Sequence, residues 1–344
     1  MKADATRYTS PMFRLCRDSL GACLAPRGSV VCIGAFDGVH LGHRALLARV
    51  RERADALGVL AAAVSFEPIP REFFARGAPI ARLDDVRGKI EQIADARIDL
   101  LLLMRFNAAL TMMDAETFVE RVLVERLAAR EIWVGADFRF GHGRRGDVDL
   151  LRTLGERLGF RAEVFPDYTL DGERVRSSSI RDLLAAGDFD EAERFLGQRF
   201  AIGGHVVHGQ QLGRKLGYPT ANIRLGRRTS PVIGIFAVRV HGVAAHALPG
   251  VASLGVRPTV NGTEPLLEAH LFDFDGDLYG RRIDVEFVAK LRDEEKFSDL
   301  DAMVRQIDLD AARAREILAA QQTNPHPDSP ANGGGTQERA GVIA

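Results

Sequence analysis

Cysteine is scarce in this chain: Cys16, Cys23 and Cys32 are its only three in 344 residues. They are too few and too irregularly spaced for a zinc site or a disulfide framework. Reduced thiols are expected, with Cys32 inside a buried strand. Long apolar runs are missing too. None reaches the roughly 18 residues that suggest a membrane span. The first ten residues are polar and lack the apolar core of an export leader. The expectation is a cytoplasmic protein without a membrane partner. Nor does one sign of charge prevail, since 46 Lys and Arg stand against 47 Asp and Glu, a formal net charge of -1. No global field then draws the chain to nucleic acid or to an anionic surface. A Walker ending, Gly-Lys-Ser/Thr, is absent, and no internal repeat is apparent. What is present is an ordinary soluble composition, 46% hydrophobic and 27% charged, long enough for two domains with separate cores.

The two halves have different periods. Residues 29–33 read as a short buried strand. Leu46, Leu47, Val50, Ala54 and Leu57 follow at helical spacing, and Gly58 is placed to cap that helix. Strands are expected over 59–66, 99–104, 131–135 and 161–165, and helices over 115–128 and 150–158. This alternation predicts an α/β domain over residues 1–186, a Rossmann-like parallel sheet with helices on both faces. Beyond it come short segments rich in Val, Phe and His at 204–208, 235–241, 267–274 and 282–288, with glycine turns such as Gly276 and Gly280. They predict a compact antiparallel barrel over 187–320 that ends in a helix from Asp299 to about Ala320. Residues 321–344 hold Pro325, Pro327, Pro330 and three successive glycines with little to bury, and read as a disordered tail.

Two segments carry phosphate chemistry. The first is Gly34-Ala35-Phe36-Asp37-Gly38-Val39-His40-Leu41-Gly42-His43, between the first strand and the following helix. Ligands of parallel α/β sheets bind outside the carboxyl ends of strands, and a helix N-terminus there offers unpaired N–H groups to a phosphate. Gly34, Gly38 and Gly42 permit close backbone approach. His40 and His43 can donate to phosphates whose charge grows in a transition state, where surface histidines in a turn would be the plain alternative. Ser177 and Ser178 open another helix and either cap it or hold a phosphate. Arg181, one turn on, reaches phosphate oxygens in a charge-assisted fork or is merely exposed. Asp137 is either a ligand-facing or a plain loop carboxylate. Trp133 reads as core, and the basic cluster from Arg139 to Arg145 as a phosphate-neutralising or solvated loop.

The second segment is Gly213-Arg214-Lys215-Leu216-Gly217-Tyr218-Pro219-Thr220-Ala221-Asn222, preceded by Gly209. Gly209, Gly213 and Gly217 let backbone amides face a phosphate. Thr220 and Asn222, two apart on an extended segment, point hard oxygens to one side, which suits Mg²⁺ beside ATP phosphates. A Gly-rich hairpin without ligand is the alternative. Glu268, if on a strand, shares its face with His270 and Phe272, opposite Leu267, Ala269 and Leu271. Such a carboxylate is either solvent-facing or functional.

The His-x-Gly-His string resembles the signature of the nucleotidyltransferase superfamily. The longer string resembles the N-terminal module of the bacterial bifunctional riboflavin kinase/FAD synthetase family. Ser65-Phe66-Glu67-Pro68-Ile69-Pro70-Arg71-Glu72-Phe73 resembles that family's flexible loop. Val134-Gly135-Ala136-Asp137-Phe138-Arg139-Phe140-Gly141 resembles its flavin-side segment, and Ser177-Ser178-Ser179-Ile180-Arg181 its second nucleotide element. In the second half, the Gly209 to Asn222 stretch resembles the riboflavin kinase phosphate segment. Gly255-Val256-Arg257-Pro258-Thr259-Val260, the strand around Glu268 and Arg292-Asp293-Glu294-Glu295-Lys296-Phe297 resemble its later segments. Ala35, Ile69, Ser178 and Ser253-Leu254 depart from the commoner Asn, His, Thr and Asn-Ile.

The resemblance covers about residues 10 to 315. It implies ATP- and Mg²⁺-dependent conversion of riboflavin to FMN and of FMN to FAD, both by phosphate chemistry. It implies His40 and His43 as catalytic groups for the second step, with Gly34, Phe36, Asp37, Gly38, Gly42, Ser177, Ser178 and Arg181 around the nucleotide. For the first step it implies Glu268 as general base. Gly209, Gly213, Arg214, Gly217, Pro219, Thr220 and Asn222 would lie around ATP, the last pair of named residues also on the metal. Asp137, Phe138, Arg257, Arg292 and Glu295 are the implied flavin contacts. Two readings remain beside this one: a single active module with a degenerate partner, or a flavin-binding regulator without turnover. Only small-molecule partners are expected, no nucleic acid, and a homo-oligomer is left open.

Overall fold

The computed structural model describes residues 13–17, 21–75, 80–209, 213, 216–226, 228–259 and 262–323, with the side chains of 257–264 excepted. The N-terminal half holds strands β1 (Arg14–Cys16), β2 (Ser29–Ile33), β3 (Leu60–Glu67), β4 (Leu100–Arg105), β5 (Ala129–Gly135) and β6 (Arg161–Phe165). They form one sheet in the order β1-β4-β3-β2-β5-β6, parallel throughout. Between them run helices α1 (Leu41–Leu57), α2 (Pro70–Phe74), α3 (Val86–Asp95), α4 (Ala108–Met112), α5 (Ala115–Phe118) and α6 (Val148–Leu158). Helix α5 continues as a π-helical stretch, Val119–Arg126.

Every residue of β2 is buried, and its side chains alternate between two cores. Val30 and Cys32 pack with α1 and α3 on one face, and Val31 and Ile33 with α5, its π-helical extension and α6 on the other. Burial on both faces is why these strands read as continuous apolar runs. Gly58 caps α1 in the left-handed conformation (φ 63°), donating to Ala54 and Asp55 carbonyls. Trp133 is half-buried against the α1–α3 core and donates to Glu131.

A two-stranded hairpin, β7 (Thr169–Leu170) and β8 (Glu173–Arg174), leads into α7 (Ser177–Ala186) and α8 (Phe189–Leu196). The C-terminal half then closes a six-stranded antiparallel barrel, in the order β10-β13-β12-β11-β14-β9. Its strands are β9 (Ala201–Val207), β10 (Ala221–Arg224), β11 (Gly234–His241), β12 (Leu248–Thr259), β13 (Gly262–Leu271) and β14 (Arg282–Arg292). The interior is filled by residues such as Ile223, Phe236, Leu267, Ala269 and Phe287. Helix α9 (Leu300–Thr323) lies on the outside, with Ala314 and Leu318 packed against Ala237, Val251 and Val288.

The fold class expected from the sequence is therefore the fold class observed, with local differences. Strands β1, β7, β8, β10 and β12 and helices α2, α3, α4 and α8 escape the periodicity reading; β12 hides because Pro249, Gly250, Gly255 and Pro258 look like turn residues. Helix α9 runs to Thr323, so Gln321, assigned to the tail, is helical and accepts a bond from Arg239 (3.2 Å). The remainder of the expected tail, 324–344, lies outside the described residues.

Two candidate active sites

The first site lies at the carboxyl ends of β2, β3 and β5. Strand order runs outward in opposite directions from the β2–β5 pair, so the crevice outside their ends is the topological switch point where α/β folds bind ligands. The β2–α1 loop there is held in an unusual backbone path, with Phe36 (φ 46°) and Val39 (φ 29°) both in the positive-φ, left-handed region. Strain of this kind persists only where surroundings over-determine it. Here Ser65 donates to the Ala35 carbonyl (3.2 Å), and Arg44 to the Val39 carbonyl (3.1 Å). Gly38 is obligatory: its φ is 83°, and a Cβ would meet Leu83 at 2.8 Å.

His40 is the N-cap of α1. Its Nδ1 accepts from the His43 amide at 3.3 Å, which places its own proton on Nε2. The two imidazoles stack with centroids 3.7 Å apart, and Phe36, fully buried, backs His43 edge-on at 5.2 Å. Burial lowers the His40 pKa to about 4, with Arg181 adding to the effect. His43 is lowered well below its ordinary value by burial, His40 and Lys89. Both rings are therefore neutral near pH 7, hydrogen-bond donors rather than charges. The His43 Nδ1 is buried with no partner among the described residues.

The N-terminus of α7 meets this loop. Ser177 donates to the Asp37 carbonyl at 3.1 Å, and Ser178 is exposed beside it. No side chain caps α7, whose N-cap position is Arg176, so its first amides remain available to a ligand. Arg181 donates to the Asp37 carboxylate and, through Nε, to the Ala81 carbonyl (2.6 Å). Asp37, only 2% exposed, is thus the anchor of the loop. It also accepts from the Leu83 amide (3.2 Å) and lies 3.3 Å from the Arg82 Nε. Arg82 in turn donates to Glu72 (2.8 Å) and Glu67 (3.1 Å). Lys89, wholly buried, donates to the Phe66 carbonyl at 3.2 Å. Burial, with Asp85 and Asp37 nearby, pushes Asp84 up to about 8. Neither Arg82 nor Lys89 has a sequence signal, because their partners lie far off along the chain.

After β5, Phe138 stacks on Phe140 (5.3 Å), and exposed Asp137 lies 3.7 Å from Arg174. In the basic cluster, Arg139 pairs with Asp147 (2.7 Å), while Arg144 and Arg145 are exposed.

The second site is on the outer face of the barrel. Asn222 on β10 sits directly opposite Glu268 on β13, and Glu268 directly opposite Ser253 on β12. Registered partners share a face, while Leu267, Ala269 and Leu271 point to the interior. The segment before β10 folds over this face: the Pro219 carbonyl lies 2.9 Å from the His270 ring, and the Tyr218 ring 5.1 Å from it. Asn222 is 5% exposed and donates to the Thr220 carbonyl (3.1 Å) and hydroxyl (3.3 Å). Its Oδ1 is buried without a partner among the described residues. An orphaned amide oxygen beside a threonine hydroxyl fits a hard cation. Gly209 is required here, since a Cβ would meet the Asn222 side chain at 2.6 Å. Gly213 and Gly217 frame the turn, in which the Tyr218 amide donates to the Gly213 carbonyl (2.8 Å). Arg214 and the Arg257 side chain fall outside the described residues. Arg292 forks onto Asp310 of α9 (2.8 Å), and Glu295 is exposed. Among the described residues, no three His, Cys, Asp or Glu side chains cluster to hold a metal.

A family model described as FAD synthetase matches residues 24–179, and one described as riboflavin kinase matches residues 196–318. The bifunctional riboflavin kinase/FMN adenylyltransferase of Pseudomonas fluorescens is 48% identical over 85% of this chain and 94% of its own length. Those of Haemophilus influenzae and Escherichia coli K12 are 41% and 43% identical, over 95% and 93% of their lengths. The chain belongs to the bifunctional riboflavin kinase/FMN adenylyltransferase family. It carries both enzymatic domains in family order, with flavins as substrates and products. A crystal structure described as a macrolide-efflux protein from Streptococcus pneumoniae is also similar, with a TM-score of 0.73 and 26% identity. It covers 88% of this chain and 99% of the other. Among the described residues, no helix is long and apolar enough to cross a membrane.

Proposed function

We propose that the two reactions divide between the two sites, the barrel of residues 187–320 making FMN and the domain of residues 1–186 making FAD. The observation that carries this division is the match between each site and its nucleophile. A ribityl hydroxyl is a poor nucleophile until its proton is taken, and the barrel face presents a carboxylate, Glu268, beside the phosphate segment. An FMN phosphate is already an anion, and the first site presents two neutral imidazoles and two helix N-termini instead of a base.

In the barrel, the riboflavin 5′-hydroxyl attacks the γ-phosphorus of ATP. The bond to the β–γ bridging oxygen breaks, ADP leaves, and Glu268 accepts the hydroxyl proton. Gly209, Gly213 and Gly217 let the backbone approach the phosphates, with Arg214 and Pro219 in the same segment. Thr220 Oγ1 and Asn222 Oδ1 would hold Mg²⁺. When bound, that ion neutralises charge on the phosphate oxygens. Arg257, Arg292 and Glu295 would contact the flavin, as the family resemblance implies.

In the α/β domain, an FMN phosphate oxygen attacks the α-phosphorus of a second ATP, and pyrophosphate leaves. His40 donates from Nε2, and His43 stands behind it on the same helix turn, where growing negative charge meets preset dipoles. The α7 amides and Ser178 face the same anion, while Ser177 and Arg181 hold the loop from behind through Asp37. Asp137 and Phe138 flank the crevice on the flavin side. The enzyme works in the cytoplasm on small molecules alone, without nucleic acid.

A time course by liquid chromatography of purified protein with riboflavin, ATP and Mg²⁺ tests the assignment. FMN rises first and FAD follows. FMN that accumulates without FAD would overturn the role given to His40 and His43. Flavin bound without turnover would replace both reactions with a carrier function.

A further inference from the structure

One short segment of the first domain, residues 81–85, touches both the barrel and the adenylyl-transfer loop. Toward the barrel, the Arg82 amide donates to the Thr229 carbonyl at 3.0 Å, extending an isolated parallel bridge between Ala81 and Thr229. The Asp85 carboxylate faces Arg282 at 3.4 Å and Arg228 at 3.9 Å, both from the barrel half. Toward the loop, the same segment supplies the Arg82 guanidinium, the Leu83 amide and the Ala81 carbonyl. These groups hold Asp37 and Arg181. The Leu83 side chain presses on Gly38. It also belongs to the same apolar cluster as the barrel interior, together with Ile180 and Leu184 of α7. A cavity of about 160 Å³ flanks the segment, lined among others by Gly38, Arg82, Arg199 and Arg282.

We propose that Arg228 and Arg282 of the kinase half are positioning residues for adenylyl transfer in the other domain, acting through Asp85 and Arg82 on the Asp37 loop. The proposal rests on the assignment of adenylyl transfer to the His40–His43 site. Two barrel arginines fix Asp85, the bridge at Thr229 fixes the main chain of Arg82, and Arg82 then reaches Asp37 without freedom to drift. Both arginines act through Asp85, so substrate binding is largely spared, and the alignment of the attacking phosphate is what suffers. A misplacement of about 1 Å costs up to roughly 100-fold in rate.

The experiment compares full-length R228A/R282A, R282K, D85N and the triple variant R228A/R282A/D85N with the parent enzyme. Both half-reactions are assayed separately, on riboflavin and on supplied FMN. Asn at position 85 keeps the cap on the Gly88 amide, which Asp85 Oδ1 now provides at 2.6 Å, so α3 stays intact. R228A/R282A and D85N each lower kcat for FAD formation about 10-fold or more, with KM for FMN and ATP changed less than about 3-fold. FMN formation stays at the parent level, and R282K restores most of the loss. The triple variant is no worse than R228A/R282A, because the substitutions cut one link. Unchanged FAD formation, multiplicative losses in the triple variant, or a parallel fall in both half-reactions would each overturn the proposal. A parent enzyme inert on FMN would instead overturn the functional assignment beneath it.

Discussion

On the proposed division of the two reactions, the adenylyl-transfer site and the kinase site solve phosphate recognition from opposite materials. The first is made of loops at helix N-termini, with positive-φ residues and a buried ionic hub around Asp37. The second is laid on three neighbouring strands, where register alone aligns Asn222, Glu268 and Ser253. The contrast follows from the chemistry. A site without a base depends on fixed dipoles, and fixed dipoles need a loop that cannot relax. A site with a base needs one carboxylate at the right place on a rigid face, which a barrel strand supplies without strain.

Two substitutions break the comparison most sharply. His43→Ala lowers FAD formation from FMN by roughly 100- to 1,000-fold, the usual result of removing one preset donor. FMN formation from riboflavin remains. Glu268→Gln does the reverse, lowering phosphorylation of riboflavin by roughly 100- to 10,000-fold while supplied FMN is still adenylylated. Steady-state rates of each half-reaction on each variant are the measurement. Loss of both activities in either folded variant would mean that the two sites are not separate.

The difference between the regions also decides what the sequence could disclose. Motif residues that work through backbone position, such as Gly38 and the His40–His43 pair, are legible because local spacing alone places them at a helix start. The same holds for Glu268, whose alternation with Leu267 and Ala269 fixes its face. The ionic hub is not legible: Arg82 is joined to Asp37 and Glu67 only after β2 and β3 have paired and the loops that follow them have come together. Asp37 and Phe36 show the other limit. Their place in the motif suggests contact with nucleotide, yet the fold buries both, one as an anchor and one as a wall behind His43. Strand β12 was hidden for a different reason, since Pro and Gly are read as turn formers unless their cross-strand partners are known.

A smaller effect separates the sites by their response to acid. His40 titrates near 6.5 in the unfolded chain and at about 4 in the fold, because burial disfavours its charged form. A depressed folded pKa means that the stabilisation is complete above pH 6.5 and is lost as pH falls through 4, by about 3 kcal/mol at most. His40→Asn keeps a good N-cap for α1 and removes the titration. Its free energy of unfolding, from denaturant melts at pH 7 and pH 4.5, therefore falls less between those conditions than that of the parent. An identical pH dependence in His40→Asn and parent would show that the imidazole is not held neutral by burial.

The gentlest way to sharpen the comparison is through the metal. Asn222 spends both Nδ2 bonds on Thr220 and leaves Oδ1 without a partner among the described residues, in a nearly closed position. Left that way, a buried amide oxygen costs roughly 1–3 kcal/mol, a penalty that a bound cation would relieve. Asn222→Leu removes that oxygen, and the riboflavin phosphorylation rate then needs at least about 10-fold more Mg²⁺ to reach half-maximum. FAD formation from FMN, measured in the same tube, keeps the parent's Mg²⁺ dependence, because nothing at the His40–His43 site touches Asn222. A shift in both curves would place the ion in a role common to the two sites. A shift in neither would leave the orphaned oxygen to a water molecule or to the phosphate segment itself.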